Sequence, residues 1–195
     1  MSDLLDRAHD FAIARRAMID SQLRTSGVNT PRVLAAFSAV AREDFVPADR
    51  RDVAYTDRPV PLGDGRALNP PATTAALFDA AAILPGDRVL VIGSAYAAAI
   101  AAQLTDAVVS EDAGKDDTVQ PAFDVILIDG AVEALPASLV DRLAPGGRVA
   151  TGRLDRGVTR LALGRRGGHG FALVDFADAE AVALPGFAKP KSFVF

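Results

Sequence analysis

Arg88-Val89-Leu90-Val91-Ile92-Gly93-Ser94-Ala95-Tyr96, with the alanine-rich run that follows it to Leu104, decides how the rest of the chain is read. Four apolar residues in a row, two of them valine and one isoleucine, predict a strand buried on both faces. Gly93 breaks that strand. From Ala95 to Leu104 nearly every residue is Ala, Ile or Leu, a composition of high helix propensity. Strand, glycine turn and helix together make the first half of a nucleotide-binding βα unit, in which backbone N–H groups of the turn face a ligand.

Working outward, a length of 195 residues fits one domain that buries a core of its own. The absence of cysteine excludes disulfides, thiolate metal sites and cysteine nucleophiles. His9 and His169 lie far apart and neither has a second histidine at ligand spacing, so two surface histidines are expected and no metal. A net charge of −4 supplies no basic field for nucleic acid. Met1 to Arg16 carries charges throughout and lacks a signal-peptide core. No apolar run is long enough to span a bilayer. A cytoplasmic monomer without nucleic-acid or membrane partners is expected.

Toward the N-terminus, Leu4, Ala8, Phe11, Ala12, Met18, Ile19 and Leu23 recur at helical steps, as one helix or two. Thr30-Pro31 opens another helix, with threonine at the cap and proline in its first turn, and Val33, Leu34, Phe37 and Val40 on its buried face. Residues 51–71 are rich in Pro and Gly, show no period and read as a long ordered loop. Pro71 opens a helix reaching Ile83. Toward the C-terminus, Ala107–Glu111 is a short strand and Phe123–Gly130 a second fully buried one. Pro136 opens a helix that Pro145-Gly146-Gly147 stops. Strands over Arg148–Thr151, Thr159–Gly164 and Phe171–Phe176 follow, the last two an antiparallel pair. The expected fold is an α/β Rossmann-like sandwich, mostly parallel, with a C-terminal antiparallel hairpin and an N-terminal helical layer. It is one domain over residues 1–195, divided into the helical layer (1–50), a substrate-side loop (51–71) and the core (72–195).

Several stretches resemble one family. Met18-Ile19-Asp20-Ser21-Gln22-Leu23, Arg42-Glu43-Asp44-Phe45-Val46-Pro47, Ala54-Tyr55-Thr56-Asp57, Pro59-Val60-Pro61-Leu62-Gly63, Val89-Leu90-Val91-Ile92-Gly93 and Ala144-Pro145-Gly146-Gly147 are similar, in order and spacing, to the motifs of protein-L-isoaspartate O-methyltransferases. The resemblance implies a class I methyltransferase fold and S-adenosylmethionine as cofactor. It also implies methyl transfer to isoaspartyl carboxylates of damaged proteins, which would be the partners. Such a carboxylate is ionised at neutral pH and needs no general base; holding it in line and stripping its water suffices. By the same resemblance Gly93, Ser94 and Glu111 fall at the cofactor, Glu111 at its ribose hydroxyls. Asn69 falls at the family's serine beside the reacting carboxylate, with Gly65, Arg66 and Leu68 on the substrate side.

The departures from the family fall on these same parts. Its turn reads roughly G-T-G-S-G-Y, where this chain has Gly93-Ser94-Ala95-Tyr96. Its G-Q-T-I-S-Q-P corresponds to Gly65-Arg66-Ala67-Leu68-Asn69-Pro70-Pro71. After Glu111 only Asp112–Ala122 intervenes before the next strand, too few residues for two crossovers and a strand. An edge strand and the adenine wall are therefore expected to be missing. Asp116 and Asp117 could replace a lost acid, although a solvated acidic loop is the favoured reading. Arg66 could pair with a substrate carboxylate, although a solvated loop arginine is favoured. Arg148, Arg153, Arg156, Arg160, Arg165 and Arg166, opposed only by Asp155, form either a basic docking patch or, as favoured, a charged edge.

Two functions stay open. An enzyme requires an open pocket at Gly93, Asn69 and Glu111, which side chains such as Tyr96 or Leu68 filling that space would exclude. A non-catalytic descendant would keep the fold and act through protein contacts. A nicotinamide-binding oxidoreductase is disfavoured, because one glycine in the turn is no dinucleotide fingerprint.

Overall fold

The computed structural model describes residues 2–111, 122–168 and 170–189, residues 2–9 as backbone alone. Helix α1 (Ser2–Met18) runs into a π-helical turn over Ile19–Leu23, and α2 spans Pro31–Ala39. Pro31 starts α2, but the Thr30 side chain makes no capping bond. Two 3-10 turns follow, over Arg42–Phe45 and Ala48–Val53. The long loop expected from its Pro and Gly content then contains a hairpin, β1 (Val60–Gly63) against β2 (Arg66–Leu68). Asp64 and Gly65 both have positive φ, the requirement of a tight two-residue turn and the reason Asp-Gly favours one.

Helix α3 (Pro71–Ala81) ends at Ala82, which is left-handed at φ 48°. Next come β3 (Arg88–Ile92), α4 (Ala95–Ala101), β4 (Ala107–Glu111), β5 (Phe123–Val132) and α5 (Ala137–Asp141). The chain continues through β6 (Leu143–Asp155), β7 (Val158–Gly167) and β8 (Gly170–Asp178). Helix α4 is three residues shorter than its composition predicts, and β6 begins before Pro145-Gly146-Gly147 instead of after it. Gly146 at φ 79° lets the strand bulge there, shifting its register on β5 between Phe123 and Val125.

The six strands stand in the order β4-β3-β5-β6-β7-β8. The first four are parallel, and β7 and β8 close the far edge antiparallel. Among the described residues β4 is the other edge; the expected loss of an outer strand falls on residues 112–121, outside the described residues. Alternate residues of the central strands feed two cores. Val89, Val91, Val125 and Leu127 face the layer of α1 to α4. Leu90, Ile92, Ile126 and Ile128 face α5 and the segment after β8, which contributes Leu184 and Phe187.

Candidate functional site

The strand order reverses between β3 and β5, since β3 continues to β4 on one side and to β5 on the other. In open α/β sheets the crevice outside the carboxyl ends of the strands at such a switch point takes the ligand. Here those positions are Gly93, which follows β3, and the Asp129-Gly130 pair of β5, just past Ile128, the last partner of β3. Gly93 has φ 105°, a conformation that glycine adopts without strain. Ser94 is buried, and its hydroxyl accepts from the Ala97 amide at 3.2 Å, capping α4. Its side chain is therefore engaged by its own helix.

Leu184 stands over both glycines. A Cβ on Gly93 would lie 3.2 Å from Cδ1 of Leu184, and one on Gly130 would meet Leu184 Cδ1 and Cδ2 at 2.7 and 2.9 Å. Leu184 belongs to a strap, residues 181–187, laid across the end of β5. The Ala131 amide donates to the Val182 carbonyl at 2.7 Å, and the Leu184 amide to the Ala131 carbonyl at 2.9 Å. The amides of Glu133 and Ala134 both donate to the Phe187 carbonyl. Strand β3 stops at Ile92, opposite Ile128, so the strap takes up the side of β5 that β3 leaves open.

Asn69 sits beneath the strap, 1% exposed. Its Oδ1 accepts from the Val182 amide at 2.6 Å and its Nδ2 donates to Asp129 Oδ1 at 2.8 Å. Thr74 donates to the same carboxylate oxygen at 2.9 Å. The predicted substrate-side asparagine thus ties the strap to the sheet. Leu68 is buried beside it. Gly65 and Arg66 do face Gly93, across a cavity of about 320 Å³ closed on its other side by Val182–Gly186; Arg66 is exposed there. Tyr96 is fully buried, but in the core, edge-on to Phe37 and under Arg42, whose Cζ is 4.9 Å from its ring centre. The side chain over the glycines is Leu184, not Tyr96 or Leu68.

Glu111 ends β4 opposite Ile92, at the same end of the sheet as Gly93. Arg142, at the end of α5, grips it with two bonds of 2.8 and 2.5 Å, which engages the carboxylate expected at a ribose. Residues 112–121, with Asp116 and Asp117, lie outside the described residues, as does His169.

Three polar atoms near Asn69 are buried without a partner: Arg42 Nη1, Tyr96 OH and Asp129 Oδ2. Arg42 is 0% exposed and donates to the carbonyls of Ala54 and Asn69, each at 2.6 Å. Burial lowers its pKa, opposed by Tyr96 and Asp129. Burial pushes the Tyr96 phenol up to about 12. The Asp129-Gly130 pair could have been found in the sequence as the polar step ending a buried strand. Nothing local signals Leu184, whose place depends on the path of the segment after β8.

The arginine cluster is opposed by acids other than Asp155. Arg148 is buried and donates to the carbonyls of Ala81 and Ala82 and, at 2.8 Å, to Asp87. Arg153 pairs with Asp175, Arg160 with Asp178 at 3.0 Å, and Arg166 with Asp141. Acids distant in sequence meet four of the six arginines across strands and loops, while Arg156 and Arg165 are exposed, which fits the favoured charged edge better than an open basic patch.

The family model of protein-L-isoaspartate(D-aspartate) O-methyltransferase (PCMT) matches residues 14–114. A protein-L-isoaspartate O-methyltransferase of Koribacter versatilis (strain Ellin345) is 34% identical over 168 residues, 71% of this chain and 76% of that protein. One from Methylorubrum populi is 34% identical over 200 residues, 88% of this chain and 94% of that protein. The 168 aligned positions draw on 71% of 195 residues, which is about 138, so about thirty positions of the Koribacter protein face gaps here. Among solved structures, a chain from Plasmodium falciparum described as this methyltransferase, in complex with S-adenosyl-L-homocysteine, superposes with a TM-score of 0.70. It has 17% identity, over 88% of this chain and 98% of that one. A second protein-L-isoaspartate O-methyltransferase superposes with a TM-score of 0.73 at 17% identity, over 87% of this chain and 65% of that one. At that identity the two structures speak to the fold.

Proposed function

This chain belongs to the protein-L-isoaspartate O-methyltransferase family, and from that premise we propose that it is such a methyltransferase held closed. The activity for which its crevice is descended is methyl transfer from S-adenosylmethionine to isoaspartyl carboxylates of damaged proteins. The strap-docked form does not perform it. The observation that carries this reading is the side chain of Leu184 in the space over Gly93 and Gly130, at the one place where the sheet order reverses. Cofactor and strap cannot share that space. With the strap docked the residues do not fit S-adenosylmethionine: Leu184 stands over Gly93 and Gly130, Gly93 opens only on the small cavity of about 320 Å³, Ser94 caps its helix, and Glu111 is held by Arg142. On the substrate side, Arg66 remains exposed at the mouth of the small cavity, placed to pair with a carboxylate.

A second reading, a protein-binding module without catalysis, draws support from a separate apolar groove of about 850 Å³ between α3 and the β7–β8 hairpin. Val174 and Phe176, 67% and 45% exposed, stand at that groove. Isothermal titration with S-adenosylhomocysteine, followed by methylation of an isoaspartyl peptide, separates the two readings. Weak binding with slow methylation is expected of a closed methyltransferase. Neither binding nor methylation under any condition would leave the binding module.

A further inference from the structure

We infer that residues 181–187 are an internal competitor for the switch-point crevice and that their release opens it to an adenosyl ligand, an inference that rests on the methyltransferase reading above. Apart from the Ala181 amide, which donates to Thr159 Oγ1 at 3.3 Å, the strap is attached to the crevice's own walls. Val182 and Leu184 bond to Ala131, Val182 to Asn69 Oδ1, and Phe187 to Glu133 and Ala134. A ligand in the crevice would need the same walls, so the two exclude each other.

The docking is also local. It uses three apolar anchors, the buried Ala181 and Phe187 and the half-buried Leu184, while Ala183, Pro185 and Gly186 stay exposed. The one strand-like contact is a single parallel bridge between Ala131 and Ala183. Such a unit can open while the six-stranded sheet stays intact. Beneath it the crevice keeps what close approach by a ligand needs. Two residues at the switch point lack side chains, one of them at positive φ. The buried Asp129 carboxylate, 4% exposed, has one oxygen unpartnered in the docked form. Buried polar groups ordinarily find partners, and a displaced strap would free Asn69 for one.

The test uses the full chain and S-adenosylhomocysteine as the probe. Titration calorimetry is run on the wild type and on Leu184→Ala, which removes the plug but keeps the backbone bonds. Affinity at least tenfold tighter in the variant is expected. Hydrogen exchange on the wild type provides a second reading that needs no variant. At rising ligand, the amides of Val182 and Leu184 should exchange faster as the strap is displaced. Equal affinity in both proteins, or slower exchange at Leu184, would make the strap part of the binding site and overturn the inference and the closure with it, leaving methyl transfer as the activity of the strap-docked form. No binding by either protein, with Leu184→Ala folded by circular dichroism, would remove that reading and the inference with it.

Discussion

Arg42 joins several separate segments. It is fully buried and joins the 3-10 turn it sits on to Ala54 and to Asn69 through their carbonyls, with its guanidinium over Tyr96. Replacing it by Met keeps the volume and leaves two buried carbonyls without donors. Leaving a buried acceptor without its donor costs about 1–3 kcal/mol, and with two such carbonyls a loss of about 2–4 kcal/mol in urea denaturation is expected for Arg42→Met. A loss below ~1 kcal/mol would mean that the segments are held by packing alone. The motif around Arg42 was legible in the sequence; its burial was not, because an arginine in a turn reads as solvated until the segments that enclose it are placed. The same limit applies to Asn69, whose amide could be assigned to a substrate only while its neighbours Val182 and Asp129 were unplaced.

The only two tyrosines, Tyr55 and Tyr96, provide a check on this buried region. Burial raises both phenols, Tyr96 to about 12, and Tyr55 further through its bond to Glu43. A folded pKa above the unfolded value of 10 contributes stability that is whole below pH 10 and is lost as pH rises through the folded value. Absorbance titration of the native protein should therefore show no phenolate at pH 10 to 11, then ionisation together with unfolding near pH 12. A phenol titrating freely at pH 10 would contradict the burial of that ring.

Among the elements, the β7–β8 hairpin shows how tightly register is set. A Cβ on Gly164 would lie 2.8 Å from the Ala172 carbonyl oxygen and 2.5 Å from the Phe171 ring. Gly168, near the turn, has nothing within 4 Å. Overpacking of this kind costs about 1–3 kcal/mol. Gly164→Ala should lower the denaturation midpoint by that amount, while Gly168→Ala should stay within about 0.5 kcal/mol of wild type. Equal effects would mean that the hairpin relaxes freely. The strands themselves were legible because buried parallel strands are unbroken apolar runs, as at Val89–Ile92 and Val125–Ile128. The β1–β2 hairpin was missed although Asp64-Gly65 signals it, since Pro61 and the surrounding glycines obscure the alternation. Strand β6 began earlier than read because Gly146 permits a bulge where Pro-Gly-Gly suggested a stop.

At the scale of the whole molecule the two faces of the sheet are unequally covered. One carries α1 to α4; among the described residues, the other is met by the five residues of α5 and by the strap. The short connection after Glu111, legible from its length alone, leaves apolar surface at Leu90, Ile92 and Ile128 that Phe187 and Leu184 help to cover. That explains why the strap lies where a ligand would, and why local sequence could not show it. It also bounds the strap's share of stability. Truncating a core phenylalanine to alanine ordinarily costs about 3–5 kcal/mol. If the strap opens as a unit of its own, Phe187→Ala can lower global stability by no more than the free energy with which the strap docks, because the sheet remains folded when the strap is off. The expected outcome is a loss of at most about 2 kcal/mol, below the ordinary range for a core phenylalanine. Exchange should be accelerated at Leu184, Glu133 and Ala134 and unchanged in β3 and β5. A full core-sized loss, with β3 and β5 exchanging faster in step, would make the strap one cooperative unit with the sheet and leave the crevice no way to open short of unfolding.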